Sequence, residues 1–278
     1  MYCSGRSSRA QPSGTRPEVI EETAERVSAL GGVGIAVRAD HSVAAEVEAL
    51  IQRIRSESGR LDILVNDIWG CESLIEFGKP FWEKDPSRAL SMFERGVLTH
   101  VITSRYAVPL MLEGGHPGLI VEVTDGNSFG YRGMLDYDLT KMSVIRLAFA
   151  MSRELKKTAL TALAITPGFL RSEEMLDHFG VSEANWRDGA ARDPHFIASE
   201  TPSYVGRAVA ALAADPNVAA RSGKVWSSWD LAREYGFTDV DGSQPHWGDH
   251  FTKAFGRPWP GVSDEAYASW HNGPGEIE

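Results

Sequence analysis

Short apolar runs alternate with stretches of helical periodicity along most of this chain, and that alternation restricts the folds open to it. Ile35–Asp40, Leu61–Asn66, Gly118–Asp125 and Leu160–Gly168 each read as a strand, with Met1–Gly5 a very short one and Gly223–Ser227 a last one. Helical patterns lie between them. Strands separated by helices pair in parallel, so the pattern predicts an open α/β sandwich.

The helices follow from apolar spacing and end signals. Pro17 suits a first helical turn, and Ile20, Ala24, Val27 and Leu30 give a stripe. Gly31, Gly32 and Gly34 then end that helix. They are not a phosphate loop, which must follow a strand and open a helix. Ser42 is expected to cap a helix that buries Val43, Val47, Leu50, Ile51 and Ile54. A long helix is expected over Pro86–Leu112, with Met92, Phe93, Val97, Val101, Ile102 and Val108 on its apolar side. Another is expected over Leu135–Leu155, and one starting near Pro202.

A chain of 278 residues is long enough for one sizeable core. A net charge of −10 argues against nucleic acid and anionic membrane surfaces as partners. Two cysteines, Cys3 and Cys71, make no disulfide framework, which fits a reducing cytoplasm. No apolar run approaches membrane-spanning length, and no secretory signal is visible. His246 and His250 have helical spacing and His271 follows, but Pro245 and Gly248 argue against a regular helix, so no metal site is expected.

The chemistry centres on Tyr137-Asp138-Leu139-Thr140-Lys141. On a helix, Tyr137 and Lys141 share a face. A free phenol titrates near about pH 10, and an adjacent ammonium favours the phenolate. A tyrosine tuned in this way exchanges a proton with a carbonyl or alcohol oxygen. Taken alone, the pentapeptide favours an ordinary amphipathic helix surface, since a tyrosine and lysine at this spacing often occur by chance.

Strand, loop, tyrosine helix, strand and Pro167-Gly168 follow one another in a set order, and in that order the chain resembles the short-chain dehydrogenase/reductase family from Met1 to about Phe237. It is most similar to the branch with a long insertion after the fourth strand and a long C-terminal tail. The resemblance implies a Rossmann-like three-layer α/β/α sandwich with a mainly parallel sheet. The insertion would span about 71–95, a lid over substrate about 171–200, and a tail packed on the domain 238–278. Aromatics of the insertion (Phe81, Trp82) either wall a substrate pocket or simply pack the loop. Trp186, His195 and Phe196 are lid or core. The tail's Trp247, Trp259, Tyr267 and Trp270 would pack over the pocket mouth or a partner subunit.

What the family does implies hydride transfer between a nicotinamide cofactor and a small carbonyl or alcohol substrate. Tyr137 would be the acid/base, and Lys141 would lower its pKa and bind the nicotinamide ribose. The substrate-orienting hydroxyl matches Thr124 by spacing to Tyr137 and Asp125 by strand alignment. Thr124 is the preferred match, because an ionised aspartate opposes a developing oxyanion. Ser128 is a further candidate if the loop Gly126–Gly133 folds back. Arg6 would meet the 2′-phosphate of NADP, whereas an acid there would suit NAD; a solvated loop arginine is an equal reading. Asp40 would face the adenine or cap a helix. Asn66 matches the family's turn after the fourth strand. Pro167, Gly168 and Ser172 would hold the nicotinamide end, unless Ser172 only caps a helix. The family's relay asparagine falls on Gly96, so that relay is incomplete, with Thr99 or His100 as neighbouring stand-ins. Homodimers or homotetramers through the two long helices are implied.

One departure stands out. In the family a first strand, a glycine-rich turn and a helix come first, and here Met1 falls where the second strand starts. With the family's strand order 3-2-1-4-5-6-7, the absent strand is mid-sheet, and two strand edges are left unpaired. The expectation is that the natural polypeptide begins upstream of this Met1. The alternative is a catalytically silent relative that serves as a binding or structural subunit.

Overall fold

The structure is a computed structural model that describes residues 1–14 and 16–270. His271 lies outside the described residues. The described strands are β1 (Tyr2–Gly5), β2 (Ile35–Arg38), β3 (Ile63–Asn66), β4 (Gly118–Val123), β5 (Leu160–Thr166) and β6 (Val225–Ser227). The helices are α1 (Ile20–Ala29), α2 (Ala44–Ser58), α3 (Pro86–Phe93), α4 (Thr99–Glu113), α5 (Leu135–Glu154), α6 (Glu173–Phe179), α7 (Pro202–Ala214), α8 (Ser228–Tyr235), α9 (Trp247–Phe255) and α10 (Asp264–Trp270). Among the described residues no helix is long and apolar enough to cross a membrane.

The chain folds as two compact units. One comprises Met1–Gly118, Gly133–Thr140 and Thr158–Leu160; the other comprises Leu119–Arg132, Lys141–Lys157 and the chain from Thr161 onward.

In the first unit, β1 pairs in parallel with β2, from Tyr2 opposite Ile35 to Gly5 opposite Arg38. Gly34 lets the turn after α1 close: a β-carbon there would stand 1.9 Å from the Ala24 carbonyl oxygen. Of the expected stripe of α2, Val43 stands ahead of the helix and is exposed, whereas Val47, Leu50, Ile51 and Ile54 are buried with Ala107 and Leu110 of α4. Each such side chain contributes about 1.5–3 kcal/mol. Among the described residues β1 has no partner on its other edge, and β3 belongs to a different sheet. Ile63 and Val65 of β3, an end strand of its sheet, are each more than two-fifths exposed (43% and 44%).

The second unit shows why the strands are so apolar. Every residue of β5 is buried. Leu163 and Ile165 pack with Ala208, Leu212 and Leu231 of α7 and α8. Ala164, on the opposite pleat face, packs with Ile145 and Ala148 of α5. β5 thus lies between two helical layers, and β6 pairs with it in parallel, Ala164 opposite Val225. This is the expected Rossmann-like α/β fold.

Several local expectations needed correction. Helix α1 starts at Ile20, not at Pro17. Ser42 does not cap α2; instead the Asp40 carboxylate accepts from the Ser42 amide and hydroxyl (2.9 and 2.6 Å). The long helix over 86–113 forms, but it is interrupted by a π-helical segment, Glu94–Leu98. His246 caps a regular α9 despite Gly248. Among the described residues no group of three or more His, Cys, Asp or Glu side chains could hold a metal ion.

Candidate active site

Helix α5 carries both Tyr137 and Lys141, one turn apart and half-buried. Within the first unit the Tyr137 ring meets the edges of Trp69 (5.7 Å between centroids) and Phe77 (6.0 Å). Buried Cys71, Met92 and Met134 complete this apolar cluster. In the insertion Phe77 flanks the tyrosine, and Phe77, Phe81 and Trp82 are all exposed. An apolar wall around a phenol lowers the local dielectric, which strengthens any charge acting on it.

The turn after β3 is held from α4 and the π segment. Asn66 is fully buried and donates from Nδ2 to Ser104 Oγ at 2.9 Å. His100 bonds through Nε2 to the Ile68 carbonyl, and Arg95 donates to the Gly70 carbonyl. The Thr99 hydroxyl donates to the Arg95 carbonyl. Neither Thr99 nor His100 is therefore placed as a relay stand-in for Gly96.

Arg6 and Asp40 fall close together at the ends of β1 and β2. Burial opposes ionisation of Asp40, but the Ser42 hydroxyl and amide, and then the charge of Arg6, hold its carboxyl below the ordinary carboxylate value. The Arg6 guanidinium also stands against Gly70, 3.3 Å from where a β-carbon would be. An exposed guanidinium between the two strand ends suits a phosphate.

In the second unit, Thr124 is buried and its hydroxyl donates to the Lys141 carbonyl at 2.9 Å. The hydrogen a substrate oxygen would need is thus committed to the backbone. The following loop folds back, as the Ser128 reading required. Arg132 donates to the carbonyls of Asp125 (2.6 Å), Gly126 (3.3 Å), Ser128 (3.0 Å) and Gly130 (3.3 Å). Ser128 Oγ accepts from the Gly130 amide. Trp259 of the tail donates its indole N–H to Asn127 Oδ1, and the Val262 amide bonds the Asn127 carbonyl.

The turn after β5 is tied to that loop. Thr166 Oγ1 accepts from the Gly126 amide (2.7 Å) and donates to the Pro167 carbonyl (2.8 Å). The Gly168 amide donates to Glu200 Oε2 at 2.9 Å. Phe169 packs edge-on against Trp247 of the tail. Ser172 caps α6 by accepting from the Met175 amide. Trp186 and Phe196 are buried with Phe179 as the core of the segment expected to be a lid.

Sequence reasoning missed Arg132, Thr166 and Glu200. Thr166 had a signal, as a polar residue ending a fully buried, mostly apolar strand. Glu200 had only its place ahead of a helix-starting Thr-Pro, and Arg132 had none.

A parallel α/β fold with a tyrosine and lysine one turn apart on the helix after β4 matches the pattern of a class of nicotinamide-dependent oxidoreductases, and comparison with known proteins shows the family. The family model for short chain dehydrogenase matches residues 11–179. Dehydrogenase/reductase SDR family member 1 of Homo sapiens is 32% identical over 240 residues, covering 83% of this chain and 74% of that one. The 3-oxoacyl-(acyl-carrier-protein) reductase FabG of Staphylococcus aureus is 27% identical over 201 residues, covering 68% and 79%. A solved structure from Burkholderia xenovorans, described as a short-chain dehydrogenase/reductase, superposes with a TM-score of 0.61 at 22% identity, covering 75% of this chain and 78% of that one, and shows the fold. The chain belongs to the short-chain dehydrogenase/reductase family, whose members use NAD or NADP.

Proposed function

We propose that this protein transfers a hydride between a nicotinamide cofactor and a carbonyl or alcohol carbon of a small-molecule substrate. The observation that carries the reading is the Tyr137–Lys141 pair on α5, with the tyrosine ring walled by Trp69 and Phe77. When bound, the cofactor supplies or takes the hydride. Tyr137 passes the matching proton to or from the substrate oxygen, and Lys141 favours its phenolate and holds the nicotinamide ribose. Because the Thr124 hydroxyl is committed to Lys141, Ser128 is the better candidate to orient the substrate oxygen.

The residues present fit the cofactor in part. Arg6, beside Asp40, suits a 2′-phosphate and favours NADP over NAD. Asn66 steadies the turn after β3, and Pro167, Gly168 and Ser172 would hold the nicotinamide end. The link from β1 to α1, residues 6–19, carries a single glycine, Gly14, so it offers no glycine-rich phosphate turn. That same fact, with the unpaired β1 edge, favours the second reading: a silent relative that binds rather than reacts. A cytoplasmic location and a homodimer or homotetramer are part of the proposal; exposed Leu98 of the π segment, Val101 and Leu112 of α4, and Leu135 and Leu139 of α5 support the association.

Fluorescence titration with NADPH and NADH, alongside turnover of a carbonyl panel, separates the readings. The enzyme reading expects binding by the wild type and by Tyr137→Phe, with turnover lost only in the variant. Binding without turnover in the wild type supports the silent relative, and absence of both sinks the cofactor reading.

A further inference from the structure

Beyond the turn after β5, the chain runs beside a segment 30 residues further on. The Glu200 amide donates to the Phe169 carbonyl (2.9 Å), the Arg171 amide donates to the Glu200 carbonyl (2.7 Å), and Leu170 and Glu200 form a parallel bridge. The Glu200 side chain then turns back. Its Oε2 accepts from the Gly168 amide (2.9 Å) and the Ser228 hydroxyl (2.8 Å). The contact is close: a β-carbon on Gly168 would fall 2.9 Å from that oxygen and 3.0 Å from Trp247 Cβ.

This carboxyl is 1% exposed, and its Oε1 makes no hydrogen bond among the described residues. The charged and titratable groups facing it are Arg171, Asp239 and Tyr204. Arg171 directs its guanidinium to Glu183 and to Ser199, not to Glu200. Asp239 accepts from the Thr201 amide and hydroxyl and adds a like charge nearby. A carboxylate buried without a bonded cation is costly, so the neutral acid is the form this pocket accepts.

We infer that Glu200 is a positioning residue for the Pro167-Gly168 turn: as a neutral carboxylic acid it anchors the Gly168 amide and so fixes the nicotinamide end of the cofactor site. The inference rests on the cofactor reading above. Burial raises the Glu200 pKa to about 8, outweighing the two hydrogen bonds that favour the carboxylate. Losing the proton above that value strengthens the Gly168 bond itself but sets an unsolvated charge beside Asp239, and that desolvation and repulsion strain the turn. Cofactor affinity therefore falls as pH rises through about 8.

The test uses the full chain, its Glu200→Gln and Glu200→Ala variants, and two measurements at about pH 6.5 and about pH 9. Hydrogen exchange over residues 163–172, compared between variants at equal pH, reads the anchor. NADPH titration reads its consequence. Glu200→Ala should speed exchange and weaken NADPH by about tenfold, the scale of a lost buried hydrogen bond. Glu200→Gln keeps a neutral acceptor, so it should match wild type at the lower pH and lose the fall in affinity at the higher. Wild-type exchange in a folded Glu200→Ala overturns the inference. If Glu200→Ala does not fold, a wild-type fall in affinity at high pH in Glu200→Gln overturns it instead. A wild type that binds neither NADPH nor NADH defeats the cofactor reading alone, and exchange then decides whether Glu200 anchors the turn.

Discussion

Gly96 lies directly against Thr140: a β-carbon on the glycine would stand 2.7 Å from the threonine γ-methyl and 2.9 Å from the Trp69 ring. Gly96 is buried in the π-helical segment that interrupts α3 and α4. Insertions of this kind re-aim a helix face and are common at functional sites. Here the space in which the family's relay asparagine would extend is filled by an indole.

That packing makes the glycine structural. Gly96→Asn is expected to lower stability by about 1–3 kcal/mol through overpacking, and not to restore a proton relay. Denaturant midpoints measure the first outcome and a pH–rate profile the second. A variant as stable as wild type and faster would contradict both.

The two hydroxyls after β4 should separate by the property they affect. Thr124→Val removes the bond to the Lys141 carbonyl and should cost about 1 kcal/mol of stability. Ser128→Ala should leave stability nearly unchanged and lower kcat, if Ser128 meets the substrate oxygen. Unfolding curves and steady-state kinetics on both variants show which assignment stands, and a kcat loss confined to Thr124→Val reverses it.

His41 predicts an acid-side loss of stability. Its Nδ1 contacts Thr103 Oγ1 at 2.7 Å, while that hydroxyl donates to the Thr99 carbonyl. Nδ1 therefore carries the hydrogen, and Nε2 is left to accept from Ser4 Oγ at 3.0 Å. Burial lowers the His41 pKa from 6.5, against the pull of Asp40 and with the push of His100. A depressed folded pKa means the stabilisation is complete above 6.5 and is lost as pH falls through the lower folded value. His41→Gln should flatten the stability profile below that point, as followed by thermal unfolding across pH. An unchanged acid limb would assign the loss elsewhere.

The open strand edge predicts self-association. Ile63 and Val65 of β3 are exposed apolar residues on an edge strand, and such edges template pairing with other chains. Ile63→Lys with Val65→Lys should reduce light scattering at high concentration while shifting stability little. Equal scattering in the variant would place the sticky surface elsewhere.

The layers of this fold were legible because burial writes itself as periodicity. Val47, Leu50, Ile51 and Ile54 announced α2, and the apolar run of β5 announced a strand covered on both faces. Element ends were less legible, since side chains compete for the same backbone groups. Asp40 took the turn that Ser42 was expected to cap, and the His246 imidazole capped α9 where Pro245 and Gly248 argued for irregular chain. In the candidate site, Tyr137 and Lys141 were expected to lie one turn apart on a helix and do so on α5, because that spacing is local. Glu200 and Trp69 could not be read, because their roles come from partners 32 and 68 residues away in sequence, Gly168 and Tyr137. Nothing in a single sequence encodes such meetings.

The indole of Trp259 grips Asn127 across 132 residues of chain. The shape of the loop that offers Ser128 is thus inherited from the far end of the polypeptide. Transplanting that loop alone into a related scaffold would carry over its letters but not its form. Specificity engineering here has to move the two segments as a couple.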